Sequence, residues 1–192
     1  MAGGISNGGR VVERAALPLI LALLLIAAGP AAAQVVAIGA SNTAGFGVSR
    51  GEAYPAQLEA MLRGLGHDVQ VVNGGISGDT SAGMLARLGS SVPAGTRVVV
   101  LDPGNNDLKA CSEPWRPQRC VTPAERAATI AAIGSALRSR GIKVLAANVE
   151  FRLVPPAGWQ ADRRHLTPEG HRLIASRLAP QVAAALGRPG RG

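Results

Sequence analysis

The sequence predicts an α/β fold, a three-layer α/β/α sandwich around a parallel sheet. Three observations carry this. Short runs along the chain are continuously apolar and β-branched, as strands buried on both faces are, without the polar alternation of a half-exposed sheet. Stretches of helical periodicity with recognisable start signals separate them. Segments rich in glycine and asparagine follow directly after the runs, at the strand ends where open parallel sheets hold their ligands.

The strands are read in order as Val35 to Ile38, Val69 to Asn73, Arg97 to Asp102 and Lys143 to Val149, four clear strands with room for a fifth. Tyr54 to Leu65 places Leu58, Met61, Leu62 and Leu65 on one helical face and ends at Gly66, a suitable C-cap. Thr122-Pro123-Ala124-Glu125 is a capping box with proline at the first helical position, leading into Ile130, Ile133 and Leu137 and stopping at Gly141. Thr167-Pro168 opens the last helix, with Leu173, Ile174, Leu178 and Val182 on its apolar face and a kink expected at Pro180. Strands alternating with helices imply right-handed crossovers and a sheet covered on both sides.

Residues 1–33 read as a signal peptide ahead of a single domain over 34–192. Arg10 and Arg14 form a positive region, Ala15 to Ala28 an apolar run of 14 residues, and Ala31-Ala32-Ala33 a small-residue cleavage site. Such a run falls short of the roughly 20 residues that span a membrane. The mature protein is therefore expected to be soluble and exported, either periplasmic or secreted. In that compartment Cys111 and Cys120, with eight residues between them, read as a loop-closing disulfide rather than half of a metal site. Closing such a loop is worth about 2–3 kcal/mol.

The net charge is +8, but the basic residues are scattered and aromatic residues make up only 3% of the chain. Nucleic-acid binders interleave basic and stacking groups, so the charge reads as an arginine-rich solvated surface, with no nucleic-acid partner. A nucleotide site is excluded as well. Gly39 to Gly45 lacks the lysine of a phosphate-binding loop, and Asn73 to Gly78 lacks the G-x-G-x-x-G spacing.

What the strand ends do offer is the set of parts for acyl transfer. Gly39-Ala40-Ser41 brings a hydroxyl, and Ile76-Ser77-Gly78-Asp79-Thr80 a glycine N–H. Gly104-Asn105-Asn106-Asp107 brings a side-chain amide, and Asp162-Arg163-Arg164-His165 a histidine three residues after a carboxylate. Each has a plainer local reading: Ser41 as a turn serine, Gly78 as a turn glycine, Asn106 as a turn cap. Among the acids between Ser41 and His165, Asp79 is placed to cap a helix near Thr80, and Asp102 and Asp107 bracket a turn. Asp162 alone is tied locally to the histidine. His67 and His171 are expected to be solvated, and Phe46, Trp115 and Trp159 to pack locally.

The four segments resemble the four sequence blocks of the SGNH hydrolases, the GDSL esterase/lipase family, in that family's order across residues 35 to 186. The similarity is closest to its small periplasmic thioesterase, lysophospholipase and arylesterase branch. The resemblance implies a flavodoxin-like SGNH fold and a serine hydrolase that cleaves carboxylic esters or thioesters through an acyl-enzyme on Ser41. It implies Ser41, Asp162 and His165 as the catalytic residues and Ser41, Gly78 and Asn106 as the oxyanion hole. No cofactor and no metal are implied, and the partner is a small ester, thioester or lipid-like molecule met by a monomer. The alternatives on the same fold are a polysaccharide O-acetyl esterase or acyltransferase, or a secreted binding protein without turnover. Two departures stand out. Ala40 occupies the place of the family's usual aspartate, and about a dozen residues replace the helix and strand usual before Asp162. A more open acyl-binding side is expected as a result.

Overall fold

The computed structural model describes Met1, Gly3, residues 35–112 and residues 120–188. The expected signal peptide and Trp115 lie outside the described residues. Within them the chain runs β1 (Val35–Gly39), α1 (Ser41–Ala44), α2 (Tyr54–Gly64), β2 (Val71–Gly75), α3 (Ser81–Ala86), α4 (Leu88–Ser91) and β3 (Val98–Asp102). It continues through α5 (Asn106–Ser112), α6 (Pro123–Ser139), β4 (Lys143–Ala146), α7 (Asn148–Arg152), a 3₁₀ turn (Pro156–Gly158) and α8 (Pro168–Leu186).

The strands form one parallel sheet in the order β2-β1-β3-β4, with Val35 opposite Val71 and Val98, and Val98 opposite Lys143. Side chains alternate across it, which makes three layers. Val35, Ala37, Val98 and Val100 face α2 and α8, where Leu58, Leu62, Ile174 and Leu178 are buried. Val36, Ile38, Val99 and Leu101 face α3, α4 and α6, where Met84, Leu88, Ile133 and Leu137 are buried. Both clusters exclude water from β1 completely, since Val35 through Ile38 are each 0% exposed. Burying one such side chain contributes about 1.5–3 kcal/mol.

The capping signals act as read. Thr122 accepts from the Glu125 N–H while the Glu125 carboxylate accepts from the Thr122 N–H, and Pro123 opens α6. Thr167 accepts from the Gly170 N–H at the start of α8, which runs through Pro180 to Leu186 as one helix. Gly66 and Gly141 take positive φ, 85° and 75°, after their helices.

Several expectations are corrected. β2 is shifted two residues onward, to Val71–Gly75, because Val71 pairs with the first residue of β1 and the pairing continues to Gly39 opposite Gly75. β4 stops at Ala146, where Ala147 turns into helical φ and ψ and α7 begins. No fifth strand follows among the described residues. The segment before Asp162 forms α7, the 3₁₀ turn and an isolated antiparallel bridge from Trp159 to Leu166. Thr80, not Asp79, caps α3, because its hydroxyl accepts from the Gly83 N–H.

His67 and His171 are buried rather than solvated, 8% and 0% exposed. Nδ1 of His171 accepts the Tyr54 N–H at 3.2 Å, which satisfies a donor in the first turn of α2 and joins α2 to α8. Burial pushes this ring from its ordinary 6.5 down to about 4. The unfolded chain therefore takes up the proton first, so the contribution of His171 to stability is present above pH 6.5 and falls away as pH drops toward 4. Substituting His171→Asn keeps an acceptor near Nδ1 and removes the titration. The difference in unfolding free energy between wild type and variant should shift against wild type by up to about 3 kcal/mol between neutral and acid pH, read by denaturant melts at each pH.

Candidate active site

The carboxyl edge of the sheet is built around two glycines. A Cβ on Gly39 would lie 2.0 Å from the Thr43 hydroxyl, and one on Gly75 would lie 2.1 Å from the Ala44 N–H nitrogen. Bare glycine backbone thus lets α1 lie across the ends of β1 and β2, with Ser41 as its first residue. The Ile76 N–H then donates to the Gly39 carbonyl and carries the β2 loop to the same edge.

Ser41 Oγ stands 3.1 Å from His165 Nε2, and His165 Nδ1 stands 2.5 Å from Asp162 Oδ2. The second contact fixes the tautomer. With the ring's hydrogen on Nδ1 and directed at the carboxylate, the Nε2 lone pair faces the serine hydroxyl, the arrangement a general base requires. Oδ1 of Asp162 accepts the backbone N–H groups of Arg164 and His165 at 2.9 and 3.0 Å. Those N–H donors, together with the His165 ring, hold the carboxyl down at about 2, although 43% of its side chain is exposed. It is therefore ionised throughout the range in which histidine titrates.

The Asp162–His165 turn is tight, with Arg163 at φ 53°. The Gln160 N–H donates to the His165 carbonyl at 2.7 Å, and the Gln160 side-chain amide donates to the carbonyls of Phe46 and Leu166. The Phe46 ring lies against the His165 ring with centroids 4.3 Å apart. Phe46 thus packs on the His165 ring, a more particular place than local packing. Trp159 lines the cleft in front of Ser41.

Asn42 is the residue that sequence reading passed over. Its Nδ2 donates to the Arg164 carbonyl and its Oδ1 accepts the Leu166 N–H, each at 3.0 Å. These two bonds bracket His165 and tie the Ser41 turn to a segment more than 120 residues further along the chain. Ala40, in turn, is 3% exposed and packs into the core beneath β1. Where a carboxylate at residue 40 would have held the loop by hydrogen bonds, a methyl fills core and Asn42 makes the ties. The only sequence signal for this was a polar side chain beside Ser41.

Asn106 begins α5 and is 7% exposed. Its Nδ2 donates one hydrogen to the Asp79 carbonyl at 2.8 Å, and the residue lines the cleft beside Ser41, where the second hydrogen is available to a ligand. Gly78 follows β2 at φ 82°, with open space where a Cβ would be, but it is not part of the cleft lining. The remaining acids are engaged elsewhere. Asp79 pairs with Arg87 at 2.7 Å. Asp107 accepts from the N–H and hydroxyl of Ser81 and lies 3.6 Å from Arg126. Asp102 is buried beneath the loop, accepting from the Gly104 N–H and the Thr43 hydroxyl, and burial pushes its carboxyl up to about 6.

Cys111 and Cys120 form a disulfide that links the end of α5 to the approach to α6. Among the described residues no group of His, Cys, Asp and Glu is placed to hold a metal ion, and no helix is long and apolar enough to cross a membrane. The cleft itself measures about 400 Å³ and includes Ser41, Asn106, Phe151, Trp159 and His165 in its lining.

The sequence profile of the GDSL-like Lipase/Acylhydrolase family matches residues 37–177. Esterase TesA of Pseudomonas aeruginosa is 34% identical over 135 residues, covering 68% of this chain and 61% of that protein. An arylesterase of Vibrio mimicus is 37% identical over 92 residues, covering 47% of this chain and 46% of that protein. The chain thus aligns with less than two-thirds of the length of each of these relatives. A crystal structure of TesA superposes with a TM-score of 0.67 at 24% identity, covering 79% of this chain and 98% of that one.

Replacing Asn42 by Ala should lower stability by about 1–3 kcal/mol, because the N–H of buried Leu166 loses its acceptor, and lower kcat on an acyl substrate by about 10- to 100-fold in the still-folded protein, because it loosens the serine–histidine geometry. If the second amide hydrogen of Asn106 meets an oxyanion in the cleft, Asn106→Ala should cost about 10²–10³ in kcat. Steady-state kinetics of the two variants check both.

Proposed function

This chain belongs to the GDSL-like lipase/acylhydrolase family, and we propose that it is a serine hydrolase that cleaves carboxylic esters or thioesters through an acyl-enzyme on Ser41. The observation that carries the reading is the continuous line of contacts from Ser41 Oγ through His165 to Asp162, 3.1 and 2.5 Å.

In this mechanism Ser41 Oγ attacks the carbonyl carbon while His165 Nε2 takes the hydroxyl proton. Asp162 stabilises the resulting imidazolium without taking the proton. The tetrahedral oxyanion is met by the Asn106 amide and by the backbone N–H groups of Ser41 and Gly78; for Gly78, outside the cleft lining, the support is the match of Ile76-Ser77-Gly78-Asp79-Thr80 to the family's second sequence block. The bond to the alcohol or thiol then breaks, and the proton on His165 passes to the leaving group. Water repeats the sequence on the acyl-enzyme, with His165 again as base, and releases the acid and free Ser41.

Residues 1–33 act as the signal that exports the protein, residues 34–192 form the mature single domain, and the product works in the periplasm or outside the cell. The Cys111–Cys120 disulfide supports an oxidising compartment.

Hydrolysis of p-nitrophenyl acetate, butyrate, octanoate and palmitate by residues 34–192 tests the proposal, with Ser41→Ala and His165→Ala beside the wild type. We expect turnover on at least one ester and a loss of about 10³-fold or more in each variant at unchanged melting temperature. Equal rates in wild type and Ser41→Ala would overturn it. The chain-length profile separates lipid-like from short acyl substrates.

A further inference from the structure

The basic residues that look scattered along the chain converge on the cleft. Lys109 from α5, Arg126 from α6, Arg152 from the end of α7, and Arg163 and Arg164 from the turn before His165 all line it, against one lining carboxylate, Asp102. Some of these charges are already committed. Arg126 reaches Asp107 at 3.6 Å and donates to the Gly104 carbonyl. Asp102 is 6% exposed and turned into hydrogen bonds from Gly104 and Thr43, so little of its charge faces a ligand. Asp162, outside the lining, has both oxygens engaged by His165 and the Arg164 N–H.

Arg152 and Arg163 differ. Both are exposed, both border the same cleft as Ser41 and His165, and neither guanidinium has a hydrogen bond or ion pair among the described residues. Arg163 is also the one non-glycine residue with positive φ among the described residues, at 53°. Backbone strain of that kind is retained where the surroundings impose it, often at ligand sites.

We propose that this cleft selects esters that carry a negative charge a few bonds from the scissile carbonyl, and that Arg152 and Arg163 supply the selecting field; this rests on the hydrolase reading above. A cleft lined by one sign of charge concentrates oppositely charged substrate and raises association rates by roughly tenfold or more, an effect that salt removes. The cations serve a second purpose with such a substrate. Attack by Ser41 creates an oxyanion next to a charge already present, and nearby guanidinium groups offset that repulsion.

Two matched pairs of probes test this. Mono-p-nitrophenyl glutarate against its methyl ester places the charge on the acyl side. 4-Acetoxy-3-nitrobenzoate against its methyl ester places it on the leaving group. Rates are corrected with Ser41→Ala and measured at about 0.02 M and about 0.5 M salt. The expected result is a kcat/KM about tenfold higher for the charged member of at least one pair at low salt. That preference should approach parity at high salt and in Arg152→Gln/Arg163→Gln, and Arg152→Gln alone, on an exposed helix end, should lower it in part. Ser41-dependent hydrolysis of the neutral members with no preference for either charged one would overturn the proposal and leave the hydrolase reading standing. Absence of Ser41-dependent hydrolysis for every probe would overturn both.

Discussion

The site depends on the absence of two β-carbons. Gly39 and Gly75 sit opposite each other at the ends of β1 and β2, and any side chain there would strike Thr43 or the backbone of α1. With both positions bare, α1 crosses the sheet edge in contact with the strands and Ser41 is held at the centre of that edge rather than above it. The buried strand beneath, 0% exposed from Val35 to Ile38, keeps that edge from shifting. Opposite Ser41 stands His165, brought from the turn before α8 at the other end of the chain.

The link between the two halves is polar and short. Asn42 holds backbone on both sides of His165, and Gln160 holds Phe46 against the histidine ring, so His165 is positioned by neighbours of Ser41. Asp162 is positioned differently. Its carboxylate gains little from burial and is held in its charged form by backbone N–H groups of its own turn. On the opposite side, Asn106 is set by Asp79, whose carboxylate is in turn fixed by Arg87, and Arg87 also reaches the Gly39 carbonyl. Both sides of the site therefore lead back to the same strand end. The disulfide ties the far end of α5, beyond Asn106, to Cys120, just ahead of α6.

Much of this was legible in the sequence, and for identifiable reasons. Uninterrupted valine runs mark strands buried on both faces, and the capping box at Thr122 and Thr167-Pro168 mark helix starts by chemistry that acts within a few residues. Ser41, Asn106, Asp162 and His165 stand out because each sits beside a strand end or helix start that local pattern already locates. What was not legible depends on distant partners. The start of β2 is set by its pairing with β1. The burial of His171 is set by a backbone N–H on α2, and the clasp by Asn42 reaches a turn far along the chain. The gathering of Lys109, Arg152 and Arg163 around one cleft has no local signature either, since these residues come from three separate segments.

Reaction with a fluorophosphonate, followed by mass mapping of the adduct, tests whether Ser41 is a nucleophile activated by His165 without assuming any substrate. One covalent adduct per chain is expected, on Ser41, forming far more slowly in His165→Ala and not at all in Ser41→Ala. An unlabelled wild-type protein, or an adduct that persists in Ser41→Ala, would contradict it.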